Sequence, residues 1–404
     1  MTTPRPTPAI DRIDDLDALR GFALLGILLV NIAFFASAYH GSGLTDPAFD
    51  GWWDRFVPGL VRTLCETKFY LLFSFLFGYS FSLQMESARR AGSAFVPRYL
   101  RRSAGLALLG IGHALLLFHG DILLTYALLG LLLLALRDVT PKTAVYLSIV
   151  LLAATALSWA LVGLAIGETD PMVPTPEIHA AVERVTAAYR SSIGTTIAQH
   201  ALEMRSTMWL LLGLIQAPCA LAMFLLGLAA AKGHYFTRLA GQRKQLWRML
   251  ALGTPIGLAG AWCYNTLNTP PVQPGSSLLG LAISILTAPA LTGAYVAALL
   301  LFLHHPKGKG AALGAWLAPA GRMALTNYLL QSVVCAYVFT AWGWALMGAL
   351  APPQVFLFAL LIYLAQLWLS RWWMRSHGYG PVEWLLRALT HGRRPPWRRM
   401  TGQP

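Results

Sequence analysis

Ten apolar stretches, each long enough to cross a hydrocarbon core of about 30 Å as a helix, dominate this chain. They lie near residues 18–39, 60–83, 97–118, 121–136, 142–166, 206–231, 245–264, 277–303, 319–341 and 351–372. The fourth is short for a full crossing. Separate spans in lipid must satisfy their backbone polar groups internally, which helices do. Only 12% of residues are charged, about half the share in soluble domains. The expected fold class is all-α, a polytopic membrane bundle of about ten transmembrane helices.

The charge pattern sets the orientation. With the N-terminus cytoplasmic, 24 of the 31 Lys/Arg residues fall on cytoplasmic segments. Six lie at the outer side (Arg55, Arg62, Lys68, Arg184, Arg190 and Arg205), and Arg322 sits within the ninth span. Such alternation is the positive-inside signature of an even number of spans with both termini inside. The net charge of +14 is thus a topology signal and an attraction to anionic membrane lipids, with no nucleic-acid partner expected. Ala36-Ser37-Ala38 resembles a signal-peptidase site, but the apolar run before it is too long for a signal peptide, so the first helix is expected to be retained. The expected location is a bacterial inner membrane.

Residues 1–10 are rich in Pro and Thr and read as a disordered tail. Residues 11–166 hold five spans and residues 206–404 five more. Between them, residues 167–205 form an outer loop in which Ile178, Val182, Val185 and Tyr189 mark an amphipathic helix. The tail from Gly380-Pro381 reads as an interfacial helix with Trp384 as anchor and a Glu383/Arg387 pair at i,i+4. Four scattered cysteines read as buried thiols, with a Cys65–Cys263 bridge as the alternative. No metal-ligand spacing is present, and the outer histidine His40 with Asp46, Asp50 and Asp54 has none. Nucleophile-elbow, phosphate-loop and HExxH patterns are also missing.

Polar residues inside the spans mark candidate sites, because they are costly in lipid and usually face a cavity or a partner. Arg20 stands at the mouth of the first span, with Asn31 about 16 Å further along it. Lys68 sits near the outer end of the second span, either snorkelling or lining a passage. His113 lies near the outer end of the third span. It pairs with Asp121 if Gly120 breaks the helix; otherwise it bonds a neighbouring helix while Asp121 caps the fourth span. On the ninth span Arg322 and Thr326, then Asn327 and Gln331, form a polar stripe, either an anion clamp or glue between helices.

Four patterns together resemble the YeiB-type bacterial membrane proteins, domain-of-unknown-function family 418. They are Leu16-Asp17-x-Leu19-Arg20-Gly21 with Gly26 and Asn31; Lys68-Phe69 with Phe73-Ser74-Phe75-Leu76-Phe77-Gly78; His113 with Gly120-Asp121-Ile122-Leu123 and Tyr126-Ala127; and Gly321-Arg322-Met323-Ala324-Leu325-Thr326-Asn327-Tyr328 with Gln331-Ser332. Gly380-Pro381-x-Glu383-Trp384 completes the match.

That family is distantly similar to membrane acyltransferases, among them heparan-α-glucosaminide N-acetyltransferase and the bacterial O-acyltransferases. The resemblance implies acyl transfer from cytoplasmic acyl-CoA to a cell-envelope glycan, lipid or small-molecule acceptor outside, with no metal. Under it, Arg20, Arg101, Arg102 and Arg322 hold the donor phosphates, and Asn31 and Lys68 line the passage and polarise the acyl carbonyl. Asn327 joins the binding stripe, and His113 with Asp121, or His40, supplies the base. Asn31 stands where the O-acyltransferases carry a histidine, and an amide cannot serve as a base. The alternative function is a permease for an organic or lipid substrate.

Overall fold

The computed structural model describes residues 9–42, 44–167, 175–208, 212–235, 239–305 and 308–398. Among these residues every regular element is helical. In chain order the helices are α1 (Ala9–Ala36), α2 (Trp52–Leu64), α3 (Lys68–Arg90), α4 (Phe95–Leu116), α5 (Leu123–Ala135), α6 (Pro141–Ile166), α7 (Pro176–Ser191) and α8 (Ile193–Glu203). They continue as α9 (Ala217–Lys232), α10 (Leu239–Leu267), α11 (Pro274–Leu303), α12 (Ala311–Arg322), α13 (Ala324–Phe339), α14 (Pro352–Trp373) and α15 (Pro381–His391). Two short π-helical turns, Met204–Met208 and Leu212–Gln216, lead into α9.

Among the described residues, five helical segments are long and apolar enough to cross a membrane: Asp14–Ala36, Pro141–Ile166, Leu212–Lys232, Pro274–Leu303 and Pro352–Trp373. Helices α5 and α13 are apolar but shorter, α4 and α10 carry their Lys/Arg charges toward the N-terminal end, and α3 carries charges at both ends around an apolar middle. The polytopic helical bundle expected from the hydropathy is therefore the observed architecture. Of the expected tail at residues 1–10, residues 1–8 lie outside the described residues, and Ala9 already belongs to α1. Large apolar side chains such as Leu108, Leu157, Leu164, Leu361 and Trp368 point outward, as a lipid-facing surface requires.

Among the described residues, two expected spans are interrupted, each for a visible reason. The second expected span divides between α2 and α3 at Cys65–Thr67, where Thr67 has φ of 70°. Carbonyls freed near the break find partners: Tyr295 donates to Leu64 O at 2.8 Å and Thr292 to Lys68 O at 3.1 Å. Helix α2 is amphipathic, and its Trp52, Trp53 and Phe56 are exposed. It reads as a surface helix rather than part of a crossing. The ninth expected span is broken at Met323 between α12 and α13. There the Glu383 carboxylate accepts the N–H groups of Leu325 at 2.7 Å and Thr326 at 3.0 Å. A carboxylate from another helix thus caps the start of α13.

The core draws on both halves of the chain. Helix α1 packs against α12, α13 and α14 as well as against α3. Gly21 of α1 and Gly321 of α12 face each other's helices without room for a methyl group, against Leu317 O and Asp17 O respectively. Small residues let membrane helices approach backbone to backbone. This crossing brings Asp17 and Arg20 next to Arg322.

Candidate functional site

A cavity of about 800 Å³ runs the length of the bundle. At its arginine-rich end it is lined by Arg20, Arg98, Arg102, Arg322 and Arg387, against the carboxylates of Asp17 and Glu383. Aromatic residues of α3 and α5 form its middle and far part: Phe69, Tyr70, Phe73, Phe77 and Tyr126. Asn31, Thr67, Gly120 and Gln216 line the other end. Its size matches known small-molecule sites.

At the arginine-rich mouth, Asp17 ties two guanidiniums. Arg20 pairs with it and also donates to Ser80 Oγ at 2.6 Å. Arg322 reaches Asp17 Oδ2 at 3.4 Å and pairs with Asp14. These two arginines are partly committed to protein carboxylates, so the mouth's spare positive charge comes chiefly from Arg98, Arg102 and Arg387. Arg98 and Arg102 lie four residues apart, on one face of α4. Arg101, at a different angle, is exposed and does not line the cavity. Arg387 stacks over the Tyr379 ring, 4.7 Å from its centroid.

Helix α15 closes this mouth. Leu386 is buried and packs toward Gly105 of α4. The expected Glu383/Arg387 pair is not formed, because both Glu383 oxygens are spent on α13; Thr326 donates to the second at 2.5 Å. Burial raises the Glu383 pKa, opposed by these hydrogen bonds. The helix is thereby latched to the bundle as well as lying at its surface.

Deeper in, Asn31 is half-buried, and no described residue hydrogen-bonds its amide. Asn31 is also among the residues that line the cavity, which leaves its amide without a protein partner there. Lys68, by contrast, is 1% exposed and points away from the cavity, donating to Arg62 O at 3.3 Å. It neither snorkels nor lines the passage; it satisfies a carbonyl of the last turn of α2. Asn327 is likewise outside the cavity wall. It donates to Ala320 O at 3.1 Å and Ser370 Oγ at 2.9 Å, while Gln331 donates to Gln366 Oε1 at 2.8 Å. This part of the stripe joins α13 to α14, the gluing role of polar residues between membrane helices.

His113 and Asp121 do meet. Helix α4 ends at Leu116, and the turn to α5 folds Asp121 back so that its Oδ1 lies 2.7 Å from His113 Nδ1. Asp121 Oδ2 accepts the Leu124 N–H at 2.8 Å, which caps α5. Gly110 makes room for this, since a methyl there would meet Asp121 and Leu124. The two sequence alternatives are thus both realised. The other ring nitrogen, Nε2, is 2.8 Å from Ser332 Oγ. All three side chains are buried, behind a cavity wall that includes Gly120, Ile122 and Tyr328.

His40 takes no part in the cavity. Its ring meets Phe34 edge-on at 4.4 Å, and burial lowers its pKa to about 4. At neutral pH it is an uncharged and weak base. Cys65 and Cys263 are free thiols, so the bridge is not formed. No group of three or more His, Cys, Asp or Glu is placed to hold a metal among the described residues. Arg98, Arg387 and Ser332 enter the site although the sequence did not mark them as site residues: Arg387 was read only as the i,i+4 partner of Glu383, and Ser332 only as part of a family pattern. For Arg98, the four-residue spacing to Arg102 is the signal that finds it.

Fold and site define a helical membrane protein with a cavity that is cationic at one end and aromatic along its length. The chain belongs to the family described as "Protein of unknown function (DUF418)", whose pattern matches residues 230–393. That stretch includes Arg322, Ser332 and Glu383. The chain is 32% identical to uncharacterized protein YxaH of Bacillus subtilis (strain 168), over 97% of each. It is 28% identical to an uncharacterized 39.9 kDa protein in the amylase 3' region of Bacillus acidopullulyticus, again over 97% of each. Protein YeiB of Escherichia coli (strain K12) is 28% identical, over 94% of this chain and 97% of its own length.

Proposed function

We propose that this protein is an acyltransferase of the bacterial inner membrane, taking an acyl group from cytoplasmic acyl-CoA to an acceptor on the outer side. The observation that carries the reading is a single cavity with five arginines at one end and the Asn31 amide toward the other. A donor with several phosphates and a long, mostly neutral arm matches that polarity. Arg98, Arg102 and Arg387 hold the phosphates at the mouth, since guanidinium groups bind phosphate in a fork-like manner. Arg20 and Arg322, braced by Asp17, form the inner ring of the same field. The pantetheine arm then lies along Phe77, Phe73 and Tyr126, and the Asn31 amide donates to the acyl carbonyl. Such a donor binds tightly only when phosphates and arm are engaged together.

Reconstitution into liposomes tests this. Labelled acetyl-CoA is added on the arginine-mouth side, with glucosamine and a long-chain alcohol as acceptors in the lumen. Label on either acceptor, lost in Arg102→Ala, supports the proposal. Uptake of unmodified solute without any donor replaces it with the permease reading, which the length of the cavity also suits.

A further inference from the structure

We infer that Ser332 is a nucleophile activated by His113 and Asp121, and that the acyl group rests on its hydroxyl between donor and acceptor. The inference rests on the acyltransferase reading for its substrate. Its geometry stands independently.

The three groups come from three places in the fold: His113 from α4, Asp121 from the α4–α5 turn and Ser332 from α13. Ser332 and His113 are 219 positions apart in sequence, yet Oγ and Nε2 are at hydrogen-bond distance, 2.8 Å. Asp121 accepts at Nδ1, so that nitrogen carries the ring proton and Nε2 is left as the acceptor for the Ser332 O–H. This is the tautomer that general-base activation of a hydroxyl requires. Asp121 is itself fixed by the Leu124 N–H, which holds the ring orientation. A serine placed only to join two helices has no need of a histidine that is oriented by a buried carboxylate.

The position fits the cavity. Gly120 and Ile122, on either side of Asp121, are in its wall, as is Tyr328, one helical turn before Ser332. The Tyr328 ring lies 5.0 Å from the His113 ring and screens the triad. Transfer therefore needs that ring to turn aside once a donor fills the cavity. In the first step Ser332 Oγ attacks the thioester carbonyl while its proton passes to His113 Nε2. The C–S bond breaks, and that proton leaves with the thiolate as CoA-SH. In the second step His113 takes the proton of the acceptor hydroxyl or amine, which attacks the Ser332 ester. The proton then returns to Ser332 Oγ as the ester bond breaks. No oxidant or further reactant is needed.

The test uses the full-length purified protein and an alkyl fluorophosphonate, which labels activated serines irrespective of the natural donor. The expected result is label on the peptide carrying Ser332 and none on Ser332→Ala. Labelling falls at least 100-fold in His113→Ala, as loss of a general base implies, and rises in Tyr328→Ala. Acetyl-CoA without acceptor leaves an acetyl group on the same peptide. A conservative variant, Ser332→Cys, keeps the fold and takes the acetyl as a thioester. Absence of label on Ser332 in both the wild type and Tyr328→Ala overturns the inference. So does acyl transfer that is undiminished in Ser332→Ala, an outcome that leaves the acyltransferase reading standing. Labelled Ser332 without any acyl transfer does the reverse.

Discussion

Asp17 of α1 and Gly321 of α12 are in backbone contact: the Gly321 Cα hydrogens face the Asp17 carbonyl with no space for a side chain. Arg20 stands one turn after Asp17 and Arg322 immediately follows Gly321, both paired with the Asp17 carboxylate. The glycines set the helix separation, and that separation lets one carboxylate hold two guanidiniums.

Replacing Gly321 by alanine forces α1 and α12 apart. Overpacking of this kind costs about 1–3 kcal/mol. The expected outcome is a lower melting temperature in detergent, read by intrinsic tryptophan fluorescence. Gly378→Ala, where nothing lies within 4 Å, is expected to leave the melting temperature unchanged.

Removing the cap on α13 unlatches the mouth. Glu383→Ala deprives Leu325, Thr326 N–H and the Thr326 hydroxyl of their acceptor, and lost caps typically cost about 1 kcal/mol. The expected outcome is faster proteolysis within Met374–Gly380, the segment before α15, measured by mass spectrometry of limited digests. Glu383→Gln keeps one acceptor oxygen and is expected to lie between the two.

Acid is expected to destabilise the packing of α8 against α4 through His200. This residue is 1% exposed, donates from Nδ1 to Leu115 O at 3.0 Å, and has its pKa lowered by burial to about 4. The unfolded imidazole titrates near 6.5. Below that value the unfolded chain binds a proton the folded chain refuses, so stability falls as pH drops from about 6.5 to about 4. The full effect is on the order of 3 kcal/mol. Thermal melts across that window check it, and His200→Asn is expected to flatten the slope, since an amide can still donate to Leu115.

The Asn31 amide is predicted to act on the transferred group rather than on the phosphates. Asn31→Leu is expected to bind acyl-CoA within about threefold of wild type. Its transfer rate is expected to fall about 10- to 100-fold, the worth of a buried hydrogen bond of 1–3 kcal/mol. Parallel binding and turnover assays on the two proteins separate these effects.

The helices and their membrane character were legible in the sequence because ten apolar runs separated by basic loops admit few other arrangements. The mouth was partly legible: Arg20, Arg102 and Arg322 sit where the spans begin, but Arg101 projects away from the Arg98/Arg102 face by roughly a quarter of a turn. The helix breaks at Thr67 and Met323 were not legible. Each lies within a run apolar enough overall to read as one span, although Glu66-Thr67-Lys68 and Gly321-Arg322 interrupt it locally, and the groups that satisfy the breaks come from Tyr295, Thr292 and Glu383, far along the chain. Ser332 escaped for the same reason. A serine on an apolar helix carries no sign of chemistry until tertiary packing brings His113 to its hydroxyl. Lys68 and Asn327 show the converse, polar residues in spans whose partners prove to be backbone and neighbouring side chains.

The central claim, a cavity that receives an acyl donor by its phosphates at the arginine mouth, is tested most directly by titrating acyl-CoA into the purified protein by calorimetry. The account predicts saturable binding by the wild type, weakened about 10- to 100-fold in Arg102→Ala through loss of a charge-assisted contact of 1.5–3 kcal/mol, and unchanged in Arg101→Ala. No binding by the wild type, or equal weakening by the two substitutions, contradicts it.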